Sequence, residues 1–194
     1  LLECIMEFER TSIADVVIVT PRRFGDARGH FIETYRAAAF NEVVGQEIAF
    51  VQDNFSYSAQ VDTVRGLHFQ LPPHPQGKLV RCARGALLDI AVDARVGSPT
   101  FGQHVAVELT ADNDKQLWVP PGFLHGFRTL TPDTEITYKC TDYYVPTCDS
   151  AVAWDDPDLN VDWGLPASKA ILSDKDRKAQ SFADFDNPFT YQGA

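Results

Sequence analysis

Four cationic side chains surround His68 in a segment that contains no acidic residue. Positions 63–88 include no Asp or Glu, and the cations are Arg65, Lys78, Arg81 and Arg84. His68 follows Arg65 by three positions. An imidazole titrates near neutral pH and can take a proton from a substrate, and a basic surrounding suits a substrate that carries phosphate. A lone strand histidine is more often structural, but this charge pattern favours His68 as a base beside a small anionic ligand.

A second histidine follows a Pro-Gly turn. Positions 120–125 have the spacing PxGxxH, which is similar to the second motif of the cupins, with Thr129 where that motif has Asn. A metal-binding cupin normally adds an HxH pair as imidazole ligands, whereas His68 is followed by Phe69 and Gln70. We therefore predict a cupin barrel without a bound metal. His125 is predicted to face inward, held by a neighbouring acceptor.

Three tyrosines stand close together near the end of a strand-like run at 135–144, namely Tyr138, Tyr143 and Tyr144. Strand aromatics most often pack in a core, but a tyrosine hydroxyl can also donate a proton or contact a sugar. An acidic run follows, made of Asp149, Asp155, Asp156, Asp158 and Asp162. Its spacing is not that of a calcium loop, so we predict a solvated turn region without a metal.

Short apolar runs separated by turn residues must position these side chains. Val105, Val107 and Leu109 alternate with Ala106 and Glu108, as in a half-buried strand. Strands are predicted at 16–19, 31–35, 87–92, 105–109, 116–119 and 136–139, and helices only at 37–44 and 174–180. So few helices exclude alternating βαβ units. The pattern predicts an all-β sandwich or barrel and does not by itself separate a jelly roll from other β sandwiches.

Length and composition limit the class of protein. A chain of 194 residues with a hydrophobic share of 44% can bury one core, and no linker divides it. We predict one domain over residues 1–194, with 1–5 as an extension because Met6 is the single methionine. No run approaches the roughly 20 apolar residues that cross a bilayer. The net charge of −10 argues against duplex nucleic acid as a partner.

The cysteines indicate the redox compartment. Four are present, at positions 4, 82, 140 and 148, and they form no CxxC pair. Free thiols in a reducing compartment are therefore expected, which predicts a cytoplasmic protein.

Together these segments resemble the dTDP-4-dehydrorhamnose 3,5-epimerase family over about residues 15–176. The matching segments are FGDARG at 24–29, FIE at 31–33, VQDN at 51–54, RGLH at 65–68, QGKLV at 76–80, GSPTFG at 97–102, QLWVPPGF at 116–123, YK at 138–139, TDYY at 141–144, Trp154 and LSDKD at 172–176. The joint match is highly specific. It implies a homodimeric cupin jelly roll that converts dTDP-4-dehydro-6-deoxy-D-glucose to dTDP-4-dehydro-L-rhamnose without metal or organic cofactor.

The resemblance also implies roles for individual residues. His68 matches the family's base, Asp176 the carboxylate partner of that base, and Tyr138 the acid on the opposite face of the sugar ring. Lys78 and Arg65 match groups around the sugar and its C4 oxygen. The other matches to substrate-binding positions are Arg28, Glu33, Gln52 and Asn54 for the nucleotide or phosphate, and His125 and Tyr144 for the sugar site.

Some positions depart from the family pattern. Phe69 replaces the usual Tyr, His30 stands where an aromatic residue is common, and 147–149 replaces a turn that contains Glu. These departures concern nucleotide binding and the choice of substrate more than the chemistry. Asp174 is an alternative to Asp176, because in a strand the two would face the same way.

Other functions stay open from the sequence alone. A 3-epimerase or a 5-epimerase of a related nucleotide 4-ketosugar needs the same base and acid. A non-catalytic jelly roll that binds sugar nucleotides would use His68 and Tyr138 only to hold the ligand. A metal-dependent cupin is a third alternative.

Overall fold

A computed structural model of the chain describes residues 5–193. Cys4 and most of the extension predicted at 1–5 lie outside the described residues. The described chain forms thirteen strands: β1 Met6–Arg10, β2 Val17–Pro21, β3 Arg23–Asp26, β4 Gly29–Ile32, β5 Gln52–Ser58, β6 Val64–Gln70, β7 Lys78–Arg84, β8 Ala86–Asp93, β9 His104–Thr110, β10 Gln116–Val119, β11 Phe123–Thr129, β12 Thr134–Cys140 and β13 Asp149–Ala151. The helices are α1 Ala37–Val44, a 3-10 turn at Ala167–Lys169, and α2 Asp174–Arg177. The predicted all-β class with a few short helices is confirmed.

Two antiparallel sheets face each other and form a cupin jelly roll. One has six strands in the order β1-β2-β10-β7-β12-β5, and the other has five in the order β13-β6-β11-β8-β9. Inward apolar side chains of both sheets form one core, to which β10 and β12 contribute Leu117 and Ile136 and β8 and β11 contribute Leu87 and Phe127. The region between the sheets therefore holds both the core and any inward polar side chains.

The outer faces of both sheets are also covered in part. Against the five-stranded sheet pack Trp154, Trp163, Phe185 and Phe189 of the C-terminal segment. Against the six-stranded sheet, Phe40 of α1 packs beside Trp118. Burial on both faces explains why β8 and β10 read as nearly continuous apolar runs.

Most predicted elements are confirmed to within two residues of their predicted bounds, and two end three residues earlier than predicted. The predicted bounds of α1 and β10 match the structure, and Val105 and Leu109 of β9 are buried while Ala106 and Glu108 are exposed. The strand predicted at 31–35 ends at Ile32, because its hairpin partner β3 begins at Arg23, the residue that pairs with Ile32. The helix predicted at 174–180 ends at Arg177.

The cysteines and the membrane prediction can be compared with the described residues. Cys82, Cys140 and Cys148 are buried free thiols, as expected for those three residues. No helix in the described part of the chain has the length and apolar character to span a membrane.

Candidate active site

His68, Lys78 and Tyr138 line a cavity between the two sheets. It has a volume of about 400 Å³ and is lined by Gln52, Asn54, His68, Phe69, Gln70, Gln76, Lys78, Tyr138, Tyr144, Asp149 and Lys175. A smaller inner cavity of about 170 Å³ is lined by Ser56, Arg65, His68, Lys78, Val80, His125, Phe127, Ile136 and Tyr138. The same three residues line both cavities, so they mark the place where the two spaces meet.

The base candidate and the acid candidate come from different sheets. His68 lies on β6 of the five-stranded sheet, whereas Lys78 on β7 and Tyr138 on β12 belong to the six-stranded sheet. β7 and β12 are paired, with Tyr138 opposite Val80 and Cys140 opposite Lys78. Since directly paired residues share a face, these side chains point to the same side of the sheet. A ligand between the sheets would thus have His68 on one side and Tyr138 on the other.

Asp176 is the hydrogen-bond partner of His68. Its Oδ1 lies 2.5 Å from His68 Nε2, and its Oδ2 accepts a hydrogen bond of 2.8 Å from the Ser173 hydroxyl. Burial opposes ionisation of this carboxyl, but the hydrogen bond from His68 and the attraction to its ring hold the Asp176 pKa below its usual value. Asp176 therefore stays ionised and accepts a hydrogen bond from a ring N–H of His68.

The alternative partner Asp174 lies elsewhere because α2 is a helix rather than a strand. Asp174 begins α2 and is exposed, whereas Asp176 is 4% exposed. Residues two apart in a helix are about 200° apart around its axis, so they face different ways. Ser173 caps α2, since its Oγ accepts a hydrogen bond from the Asp176 backbone N–H, and this cap orients Asp176.

Lys78 and Tyr138 have shifted pKa values. Burial lowers the pKa of Lys78, while Cys140 and the Asp89 carboxylate oppose that shift. Burial also raises the pKa of Tyr138, with a further rise from Cys140 and an opposing effect of Arg65. A phenol with a raised pKa keeps its proton at neutral pH and can donate it.

The inner cavity contains a second histidine and carboxylate pair. His125 lies directly opposite His68 in the pairing of β11 with β6. Its Nε2 is 2.7 Å from Oδ1 of Asp89, a residue that is fully buried. His125 thus faces inward and is held by an acceptor, as predicted. Arg65 lines the same cavity and donates to Ser58 Oγ and the Tyr57 carbonyl.

At the mouth of the larger cavity, polar side chains hold the segment that follows β12. Gln52 Nε2 donates to Asn54 Oδ1 at 3.0 Å, and Gln52 Oε1 accepts from the Tyr144 backbone N–H at 2.9 Å. Gln70 bonds to the Tyr143 carbonyl and the Val145 N–H. Gln52, Asn54 and Tyr144 were expected at the site, and the structure brings all three to the cavity.

Four polar or charged residues line the larger cavity although they were not predicted as site residues: Gln70, Gln76, Asp149 and Lys175. Gln70 follows His68 by two positions and so shares its face in a strand, a signal that could have identified it. Asp149 belongs to the acidic run predicted to be solvated, yet it lines the cavity from β13. The prediction of a solvated side chain is wrong for Asp156 as well, which is 3% exposed. Its buried carboxylate accepts hydrogen bonds from the backbone N–H groups of Leu159 and Phe182.

Arg28 and Glu33 are not among the residues that line either of these cavities. Arg28 is exposed on the β3-β4 hairpin, where it pairs with Asp26, and Glu33 pairs with Arg36 at 2.6 Å. The two strands of that hairpin pair with each other and not with the two large sheets of the described chain. A single chain therefore does not bring these two predicted residues to His68.

The described part of the chain contains no candidate metal site. No cluster of three or more His, Cys, Asp or Glu side chains is placed to hold a metal ion among residues 5–193. The two histidines of the cavities each have a carboxylate partner instead.

The chain is similar in sequence and fold to known sugar-nucleotide epimerases. The family model for dTDP-4-dehydrorhamnose 3,5-epimerase matches residues 10–184. A protein of that name from Sinorhizobium fredii is 50% identical over 186 residues, which cover 96% of this chain and 94% of that protein.

Two solved structures extend the comparison. A dTDP-6-deoxy-D-glucose-3,5-epimerase from Legionella pneumophila, in complex with dTDP-4-keto-L-rhamnose, has a TM-score of 0.92 and 43% identity, and the match covers 97% of this chain and 100% of that one. A 3'-monoepimerase from Streptomyces bikiniensis, in complex with dTDP-quinovose, has a TM-score of 0.82 and 33% identity over 90% of this chain and 87% of that one.

Proposed function

This chain belongs to the dTDP-4-dehydrorhamnose 3,5-epimerase family, and we propose that it is an isomerase that inverts C3 and C5 of dTDP-4-dehydro-6-deoxy-D-glucose. The product is dTDP-4-dehydro-L-rhamnose. The observation that carries this proposal is the arrangement of His68, bonded to Asp176, on one sheet and Tyr138 beside Lys78 on the other. Inversion at carbon needs a base on one face of the ring and an acid on the opposite face.

The chemistry begins at the hydrogens next to the C4 ketone. When a base removes the proton from C3 or C5, the C–H electron pair delocalises onto the C4 oxygen and forms an enolate. A proton delivered to the same carbon from the other face then restores the ketone with inverted configuration. Atoms and electrons balance without any oxidant or reductant.

His68 suits the role of the base, and its hydrogen bond identifies the reacting nitrogen. The ionised Asp176 can only accept, so His68 Nε2 carries the hydrogen of that bond. The lone pair of the neutral ring is then on Nδ1, which is the atom that takes the proton from carbon. When the ring becomes a cation, the Asp176 carboxylate stabilises it.

Tyr138 and Lys78 suit the complementary roles. The raised pKa of Tyr138 keeps its hydroxyl protonated, so it can supply the new hydrogen at carbon. The Lys78 ammonium can stabilise the negative charge that develops on the C4 oxygen, and a prearranged charge in a partly dry cavity is effective in this role. Asp89 near Lys78 favours the charged form of the lysine.

A homodimer is part of the proposal. Phe24 and Phe31 of the β3-β4 hairpin are 39% and 68% exposed, and Arg28 of the same hairpin lies apart from the cavity of its own chain. We expect a second chain to cover this hairpin, and Arg28 and Glu33 to contact the nucleotide or phosphate part of the substrate bound to that chain. Three buried free thiols support a reducing compartment such as the cytoplasm.

One experiment tests the function against its alternatives. The protein is incubated with dTDP-4-dehydro-6-deoxy-D-glucose in deuterated water, and the product is examined by NMR, after reduction if the ketone is unstable. Deuterium at both C3 and C5 with inversion supports the proposal. Deuterium at one carbon favours a 3-epimerase or 5-epimerase, the first of which the Streptomyces bikiniensis likeness keeps open. Binding of dTDP without exchange indicates a non-catalytic module.

A further inference from the structure

Asp149 brings a carboxylate into the wall of a cavity that has to accept an anionic ligand. Besides His68, the charged residues that line this cavity are Lys78, Lys175 and Asp149. The Asp149 side chain is only 18% exposed. A carboxylate at this place repels a diphosphate, and partial burial strengthens that repulsion. We therefore expect the Asp149 carboxylate to have a function that offsets this unfavourable effect on ligand binding.

One oxygen of Asp149 holds two side chains of the cavity wall. Its Oδ2 accepts a hydrogen bond of 3.0 Å from the Tyr144 hydroxyl and forms an ion pair with the Lys175 ammonium. Tyr144 is 54% exposed and the Lys175 side chain 48%. Side chains this exposed keep much rotamer freedom unless a partner restrains them. Asp149 is the partner of both.

The same ion pair joins the helix of Asp176 to the strand of His68. Lys175 directly precedes Asp176 in α2. Asp149 lies on β13, which pairs with β6, so that Asp149 stands opposite Gln70 and Ala151 opposite His68. The Asp149–Lys175 pair therefore connects a helix of four residues to the sheet on which its Asp176 meets the base.

We infer that Asp149 is a positioning residue, which rests on the proposed function. Its carboxylate holds the Lys175 ammonium and the Tyr144 hydroxyl in the cavity wall and keeps α2 in place beside His68, and its negative charge weakens the binding of the ligand diphosphate. Removal of that charge therefore changes binding and turnover in opposite directions.

The first arm of the test measures the dissociation constant of dTDP by calorimetry and kcat with the 4-ketosugar. Asp149→Asn is expected to bind dTDP about two- to tenfold more tightly, because repulsion is lost and Lys175 is released to the phosphates. Its kcat is expected to fall about tenfold or more, because the His68–Asp176 pair and the Tyr144 side chain in the cavity wall lose their alignment. Asp149→Glu keeps the charge and should recover much of kcat with affinity near wild type. Asp174→Asn, an equal charge change at an exposed position of α2, should alter neither quantity.

The second arm uses Lys175 and needs only dTDP binding. Lys175→Met leaves the Asp149 charge uncompensated and should weaken dTDP binding, and the double variant Lys175→Met/Asp149→Asn should recover it. The inference is overturned if Asp149→Asn binds dTDP no more tightly than wild type, or if the double variant binds no better than Lys175→Met. Failure of the proposed function shows separately, as wild-type protein that binds dTDP and does not epimerise the sugar.

Discussion

Arg65 and His68 both face the interior of the jelly roll although three positions separate them on one strand. Side chains three positions apart in a regular strand point to opposite faces. In the pairing of β6 with β11, Arg65 is opposite Phe127 and His68 is opposite His125. The two paired positions are therefore three residues apart on β6 but only two residues apart on β11, so β6 has one extra residue. This bulge at 66–67 brings both residues into the inner cavity.

Gly66 makes the bulge possible, and Gly66→Ala should destabilise the fold. Gly66 has φ +134°, and an added Cβ would lie 2.5 Å from the Cα of Gly126. Both the backbone strain and the clash with a neighbouring strand oppose any side chain here, so we expect a loss of about 3 kcal/mol or more in the free energy of unfolding. Urea denaturation measures this loss. Gly97→Ala is the matched control, because Gly97 also has a positive φ but an added Cβ there has nothing within 4 Å. Equal losses in the two variants would contradict the explanation.

Removal of the base should abolish turnover and preserve binding. In His68→Asn the amide cannot accept the proton, so kcat should fall by about 10²–10⁴-fold, while dTDP affinity and the melting temperature change little. His104→Asn, on β9 and outside both cavities, provides the control. Turnover near the wild-type rate in His68→Asn would remove His68 from the mechanism.

One set of assays can show whether Lys78 or a metal ion stabilises the enolate oxygen. Lys78→Met should lower kcat by about 10²–10³-fold, the usual effect of losing one oxyanion-stabilising group. Prolonged dialysis against a chelator should leave wild-type activity intact. Lys139→Met is the control, since Lys139 lies on the same sheet and pairs with Asp53 at its surface. Activity that is lost in chelator and restored by a divalent ion would favour the metal-dependent cupin.

Asp176 should make stability depend on pH in a defined direction. Its folded pKa lies below the usual 3.8, so the folded chain holds fewer protons on this group than the unfolded chain. The stabilisation is complete above the unfolded pKa and is lost as the pH falls through the folded pKa. Asp176→Asn should therefore be less stable at pH 7, and its stability should fall less than that of wild type between about pH 5 and pH 2.

Urea denaturation over that pH range, with Asp174→Asn as control, measures the difference. Parallel pH profiles for Asp176→Asn and wild type would contradict this, because they would show that the pKa of Asp176 is the same in the folded and the unfolded chain.

The sequence predicts the apolar elements better than the strands that carry the site. α1 and β10 have clear patterns, and their predicted bounds agree with the structure. β5, β6 and β7 were not predicted as strands, because their inward positions hold Gln52, His68 and Lys78 where a core strand has apolar side chains. Polar residues at these positions serve the cavity and remove the periodicity that identifies a strand.

The other site residues could not be predicted from local sequence patterns, because contacts between distant segments bring them together. Asp176 is 108 positions from His68, and whether it or Asp174 faces the histidine depends on α2 being a helix. Local patterns do not contain that information, and the family resemblance matched Asp176 but left Asp174 as an alternative. Asp149 and Lys175 reach the cavity only through the pairing of β13 with β6 and the position of α2.

Exchange in deuterated water can test whether His68 removes the proton from one face of the sugar without help from Tyr138 on the other face. Wild-type product should carry deuterium at each inverted carbon, because the new hydrogen comes from a tyrosine that equilibrates with solvent. In Tyr138→Phe, His68 can still form the enolate and return a proton to the same face, provided that the histidine exchanges with solvent first. The recovered sugar should then gain deuterium without inversion.

The outcome of that variant assigns the roles of both residues. Tyr143→Phe, which removes an exposed hydroxyl close to the cavity mouth, should behave like wild type. If Tyr138→Phe epimerises at the wild-type rate, another residue is the acid, and Tyr144, which also lines the cavity, becomes the next candidate. If it binds dTDP but shows neither exchange nor turnover, Tyr138 must assist the removal of the proton as well. In that case the enolate forms only when both sheets present their groups to the sugar, because His68 on one sheet does not suffice without the hydroxyl on the other.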